Sequence, residues 1–261
     1  MSFVQTVVLA AFAGGTIFLG LPVGRVRGLS TRRQAALTTA AGGVILFLIY
    51  DVLSQAVEPA KRALDQARAG GSADQFALYA VTLGGSIALG LLSVTWLTSR
   101  MNARRQLGGA ITPKQVALGT AIGLGLHNFS EGLAIGQSAA IGATSFALIL
   151  VIGFALHNAT EGFAIGAPLS QAERPSWSFL GLAGIVGGGP TFAGGVVGYS
   201  LVSPVLSILF LGLAAGALIF VFNEMMAVAR RFSLPVVTGV ALTIGLLVAF
   251  ATDFILSAAG A

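Results

Sequence analysis

The only two histidines of this chain lie in two copies of one motif. Residues 126–136 read Leu-His-Asn-Phe-Ser-Glu-Gly-Leu-Ala-Ile-Gly and residues 156–166 read Leu-His-Asn-Ala-Thr-Glu-Gly-Phe-Ala-Ile-Gly, an offset of 30. In each copy the His and the Glu are four apart, which on a helix puts both side chains on one face, one turn from each other. His127, Glu131, His157 and Glu161 are therefore the groups best placed to do chemistry, either metal coordination or proton exchange. Two neutral imidazoles and two carboxylates around a dication sum to zero charge, and that ligand set suits Zn²⁺, Fe²⁺ or Mn²⁺. Thiolate chemistry is excluded, because the chain has no Cys. A single buried His is more often an interhelical hydrogen-bonding group than a ligand. The duplication of the whole His-Asn-x-x-Glu-Gly pattern is what favours a site.

The elements that must position these residues are membrane helices. Of 261 residues, 56% are hydrophobic and 9% charged, against roughly 25% charged in a soluble domain, and the mean hydropathy is +0.91. Apolar segments run over residues 3–23, 34–57, 75–98, 113–138, 143–168, 177–201, 204–229 and 235–257. Only helices and closed barrels satisfy the backbone in hydrocarbon, and these runs are too long and too uniformly apolar for barrel strands. The reading is an all-α integral membrane protein, a single transmembrane domain over residues 1–261 with eight transmembrane helices. The net charge of +5 reports topology rather than a nucleic-acid partner. Eleven of the fourteen Lys and Arg fall in the first, third, fifth and seventh connections, and only Lys61, Arg62 and Arg68 fall on the other side. Cytoplasmic loops collect basic residues, so both termini are expected to be extracytoplasmic. Residues 58–74 form the longest polar connection, expected to be a solvated linker without chemistry.

The midpoint between His127 and His157 is Gly142, in a turn-permissive junction between the fourth and fifth segments. Fifteen residues at 1.5 Å each is about 22 Å, enough to descend from an interfacial turn to the middle of a 30 Å core. The two motifs should lie level, near the bilayer centre. There a charged side chain costs at least about 2.5–3.5 kcal/mol, so four polar groups at one depth demand compensation, which a divalent cation supplies.

Residues 127–132 and 157–162 resemble the signature of the ZIP (Zrt/Irt-like) divalent metal transporters, whose fourth and fifth helices carry a His-Asn-x-Pro-Glu-Gly type motif and a related one. The span count and topology extend the resemblance over essentially the whole chain. It implies a 3+2+3 inverted-repeat bundle, with helices one to three related to six to eight and the metal pathway in helices over about 113–138 and 143–168. It also implies His127, Glu131, His157 and Glu161 as the primary transport site. Asn128 and Asn158 match positions that in some members contribute to a second, adjacent site bridged by the residue at Glu161.

Three departures matter. Ser130 and Thr160 stand where the motif has Pro, so any bend would come from hydroxyls bonding back to the previous turn. In the sixth helix, where many members have an acid before a Pro, this chain reads Gly189-Pro190. A second dication would then raise the cluster to about +2 in low dielectric, so one tightly bound metal is expected. The second helix has Asp51 near the place where some members carry a His.

Asp51 above and Glu224 below the central site are read as entrance and exit stations, while Glu58 and Asp253 are read as solvated. Trp96 and Trp177 are read as interfacial anchors, and Gly194 with Gly198 as a close helix contact.

The expected function is transport of a divalent metal, zinc first and iron or manganese next, toward the cytoplasm across the cell (inner or plasma) membrane. The metal is cargo and no resident cofactor is implied. The partners are the metal ions and the lipid bilayer, with a homodimer left open. Two other classes stand beside it. A membrane-embedded metalloenzyme would need an open coordination position and a general base, but His-Glu-x-x-His and Glu-x-x-His are both absent. A metal-independent proton or solute carrier could use the same His and Glu.

Overall fold

The computed structural model describes residues 1–104, 112–171, 174–201 and 203–258, without the side chains of residues 97, 98, 101–104, 157, 171, 252, 256 and 257. Among the described residues there is no strand, and the helices follow the apolar segments. They are α1 (Phe3–Gly15), α2 (Ile17–Gly20), α3 (Thr31–Arg68), α4 (Asp74–Arg104), α5 (Pro113–Ala140), α6 (Thr144–Gly166), α7 (Trp177–Ser200), α8 (Pro204–Arg231) and α9 (Pro235–Ala258), with 3-10 turns at Leu21–Arg25 and Ala167–Gln171. Polar caps start them where the sequence turns apolar. Ser2 and Thr112 form capping boxes with Gln5 and Gln115, and Ser30, Ser176 and Ser203 each accept a backbone N–H of the first turn. Each such cap satisfies a donor that the helix itself leaves without a partner.

Seven stretches are long and apolar enough to cross a membrane: Phe3–Arg25, Thr31–Arg68, Asp74–Trp96, Thr144–Ser170, Trp177–Ser200, Pro204–Arg231 and Pro235–Ile255. The protein is thus an all-α, multi-pass membrane protein. The remaining expected span, α5, is 28 residues long but carries the polar residues of the first motif, which lower its hydropathy.

Two expectations change. The first segment is not one helix, because Thr16 interrupts it. Its single hydroxyl proton lies between the carbonyls of Ala13 (2.7 Å) and Ala155 (2.6 Å), which ties the break to α6. Residues 58–74 are not a linker either, since α3 continues through Pro59 to Arg68. Ala56, Ala60 and Ala63 are spaced on one face and buried, the last two against Tyr79 and Ile208. On the solvated face Glu58 pairs with Arg62 at 3.3 Å. An amphipathic stripe of this kind stabilises a helix beyond the apolar span.

Two sets of pairings, joined where α5 packs on α8, make up the bundle. α5 lies along α7, and α1 and α2 lie against α6, with α1 also crossing α7. Around them α4 runs along α8, α9 runs along α3, and α3 packs on α8. α5 and α6 form a hairpin whose turn is Gly142, in the left-handed region at φ 81° where a glycine is favoured. The ends of the helices sort into two sets. The N-terminal amine donates to Thr144 and Tyr199 Oη donates to the Met1 carbonyl, which places the N-terminus beside the α5–α6 turn and the end of α7. At the other ends Arg25 donates to the Pro175 carbonyl and lies 4.3 Å over the ring of Trp177. Trp96 is stacked likewise by Arg100, at 4.4 Å. Arg104 of the third connection lacks a described side chain, and Arg105 lies outside the described residues.

Candidate functional site

The hairpin brings the two motif copies together inside the bundle. His127, Asn128, Glu131, Asn158 and Glu161 are all buried, with Asn128, Asn158 and Glu161 fully so. His127 Nε2 lies 3.5 Å from Glu131 Oε1 and 3.9 Å from Glu161 Oε1. The side chain of His157 lies outside the described residues, although its backbone is helical, on the same α6 turn as Asn158.

The second oxygen of each carboxylate is held by the opposite motif. Asn128 Nδ2 donates to Glu161 Oε2 at 2.7 Å, and Asn158 Nδ2 donates to Glu131 Oε2 at 3.2 Å. The same amides also reach the flanking helices, Asn128 to the Gly187 carbonyl of α7 (3.0 Å) and Asn158 to the Ala13 carbonyl of α1 (3.2 Å).

The glycine that follows each Glu explains how the helices come this close. A Cβ on Gly132 would lie 2.1 Å from the Thr191 carbonyl oxygen of α7, and one on Gly162 would lie 1.9 Å from the Ile17 carbonyl oxygen of α2. Gly194 and Gly198 meet the Phe129 and Leu133 carbonyls of α5 in the same way, which is the close contact their spacing suggests. Gly14 and Gly188 meet each other where α1 crosses α7.

Ligands about 2.1 Å from a tetrahedral ion lie about 3.4 Å apart. The separations from His127, 3.5 and 3.9 Å, can be set against that value. The described residues by themselves do not close a cage of three His, Asp or Glu groups. Two carboxyl groups and one imidazole are buried together where water is excluded, and ionising such groups costs several kcal/mol per ion unless they are paired.

Other expected residues are placed as follows. Asp51 is half-buried on α3, accepts from Gln55 at 2.8 Å, and lies close enough for its charge to act on both His127 and Glu161. Glu224 lies on α8. It is half-buried within the field of Arg230 and Arg231.

Ser130 does not make the expected back-bond: its hydroxyl is buried without a hydrogen-bond partner among the described residues. The carbonyl four residues earlier already accepts a helical N–H, so that bond is optional, and α5 runs unbroken. Gly189 is exposed, and a Cβ there would have only Ile185 within 4 Å, so a side chain at this position would point away from the site. α7 reaches the site through the Gly187 carbonyl, which accepts from Asn128. The whole of α7 nonetheless contains no acid.

The roles of Ala13 and Gly187 were not legible in the sequence, since both act through backbone carbonyls and any residue type carries one. The chain matches no family model and no curated protein sequence.

Proposed function

We propose that the chain is a divalent metal transporter, similar to the ZIP proteins, which carries Zn²⁺, Fe²⁺ or Mn²⁺ across the cell (inner or plasma) membrane toward the cytoplasm. One observation carries the reading: the two His-Asn-x-x-Glu motifs meet in the buried centre, with Oε1 of both glutamates turned to His127 and Oε2 of both held by the opposing asparagine. With His157 as the fourth ligand, the cation would neutralise two carboxylates that lipid otherwise penalises. It would enter past Asp51, bind, and leave inward past Glu224.

The eighth span is α5, which at 28 residues is about 42 Å long and crosses inside a ring of other helices. The 3+2+3 inverted repeat is supported by matched pairings. α4 lies on α8 as α9 lies on α3, and Asn128 reaches α7 as Asn158 reaches α1. The N-terminus beside the α5–α6 turn, and Arg25 beside Trp177, agree with eight alternating passes. The arginine-rich ends then face the cytoplasm and both termini face out.

Uptake of radioactive Zn²⁺ into liposomes containing the purified protein tests this, with Fe²⁺, Mn²⁺ and Cd²⁺ as competitors. Saturable uptake abolished in Glu161→Ala is the expected result, and uptake no greater than in empty liposomes for every dication would overturn it. A metal-independent carrier is separated by thermal stabilisation on adding Zn²⁺, which the proposal requires in the wild type and expects to vanish in His127→Ala and His157→Ala.

A further inference from the structure

The resemblance offers Asn128 and Asn158 as ligands of a second cation, and the hydrogen bonds of their amide N–H groups point to a role of another kind. An asparagine amide has two N–H donors. In both residues one goes to a carboxylate of the opposite motif and one to a carbonyl of a flanking helix, Gly187 of α7 for Asn128 and Ala13 of α1 for Asn158. Those two carbonyls cannot shift independently, because α1 and α7 meet at Gly14 and Gly188, where a Cβ on either would lie 2.1 Å from the carbonyl oxygen of the other. The amides are thereby fixed, and each carboxylate is divided. Oε2 is taken by an asparagine, while Oε1 is turned to His127.

We propose that Asn128 and Asn158 are positioning residues that act crosswise, each holding the carboxylate of the other motif in place through its amide N–H groups. The part that concerns cation affinity rests on the transporter reading; the crossed bonds need no metal. Partners that orient a ligand in this way are typically worth 10–100-fold in metal affinity.

The test has two arms. In metal-free protein, a double-mutant cycle on the thermal midpoint pairs Asn128→Ala with Glu161→Ala and, separately, with Glu131→Ala. Crosswise positioning requires non-additivity with Glu161 and additivity with Glu131, and Asn158→Ala must show the reverse. Equal coupling of Asn128 to both glutamates would overturn the proposal.

In the second arm Zn²⁺ binding is measured by calorimetry in detergent. Asn128→Ala should weaken it 10–100-fold. Asn128→Asp should weaken it at least as much, because a carboxylate cannot donate and sets a like charge against Glu161. A ligand would instead tolerate that change, so Asn128→Asp binding within threefold of wild type would also overturn the proposal.

Should Asn128→Asp fail to fold, the Asn128→Asp/Glu161→Gln pair reverses the direction of the same bond. Recovery of folded, monodisperse protein supports the proposal and no recovery refutes it. Crosswise coupling in a wild type that binds no Zn²⁺ would support the positioning and refute the cation reading alone.

Discussion

Substituting Gly162 by Ala tests the link between helix packing and the site. A Cβ there would lie 1.9 Å from the Ile17 carbonyl oxygen, where ordinary contact begins at 3.4 Å, so the two backbones must part by about 1.5 Å. Neither side can yield by rotating a side chain, since both contact atoms belong to helices. Overpacking of this kind costs about 1–3 kcal/mol, and for a chain of this length each kcal/mol lowers the thermal midpoint by about 2–4 °C. The damage should extend to the site. Ile17 lies one turn beyond Ala13, whose carbonyl accepts from Asn158 at 3.2 Å, and a displacement near 1.5 Å breaks a bond of that length. Gly162→Ala should therefore lower the thermal midpoint in detergent and also weaken Zn²⁺ binding. Gly84→Ala and Gly85→Ala are the controls, because nothing lies within 4 Å of a Cβ at either position; they should leave both measurements unchanged or raise stability slightly through helix propensity. A Gly162→Ala protein with the midpoint and affinity of the controls would refute the packing argument.

Other outcomes follow from the same geometry. An imidazole must be neutral to ligate, so Zn²⁺ affinity should fall as pH is lowered; uptake that rises with falling pH would point to proton coupling instead. With no acid on α7, equilibrium dialysis should find one tightly bound dication per chain, and two would contradict the charge argument. Asp51→Asn removes a charge that acts on the site without touching the hydrogen bonds to Glu131 and Glu161, so it should weaken Zn²⁺ binding less than Asn128→Ala does in the same titration. Ser233 is a non-glycine residue in the left-handed region, at φ 54°. Ser233→Gly should raise the thermal midpoint by the equivalent of about 1 kcal/mol, and a fall would show that the hydroxyl is needed in the α8–α9 turn.

How much was legible in the sequence differs between levels. The helices were, since an apolar run in lipid has no other way to satisfy its backbone. The end of α3 was not, because the charged residues after Val57 read as solvent-exposed, while the alanine stripe that packs them on Tyr79 and Ile208 is too weakly apolar to stand out. Repetition of His-Asn-x-x-Glu-Gly marked the site, and the symmetric placement of Gly142 foretold the hairpin that brings His127, Glu131 and Glu161 together.

What the sequence determined by itself is local: helical period, the left-handed turn at Gly142, and which residue types repeat at which spacing. These depend on interactions within a few residues, which the chain order specifies. The tertiary structure alone decided that each asparagine serves the other motif's glutamate, that Ala13 and Gly187 anchor the pair, and that Gly189 points away from the site. Those outcomes depend on how helices distant in sequence rotate against one another, which is set at glycine contacts such as Gly14 with Gly188 and Gly162 with Ile17. In a bilayer, where lipid and leucine are equally apolar, close backbone approach settles that rotation.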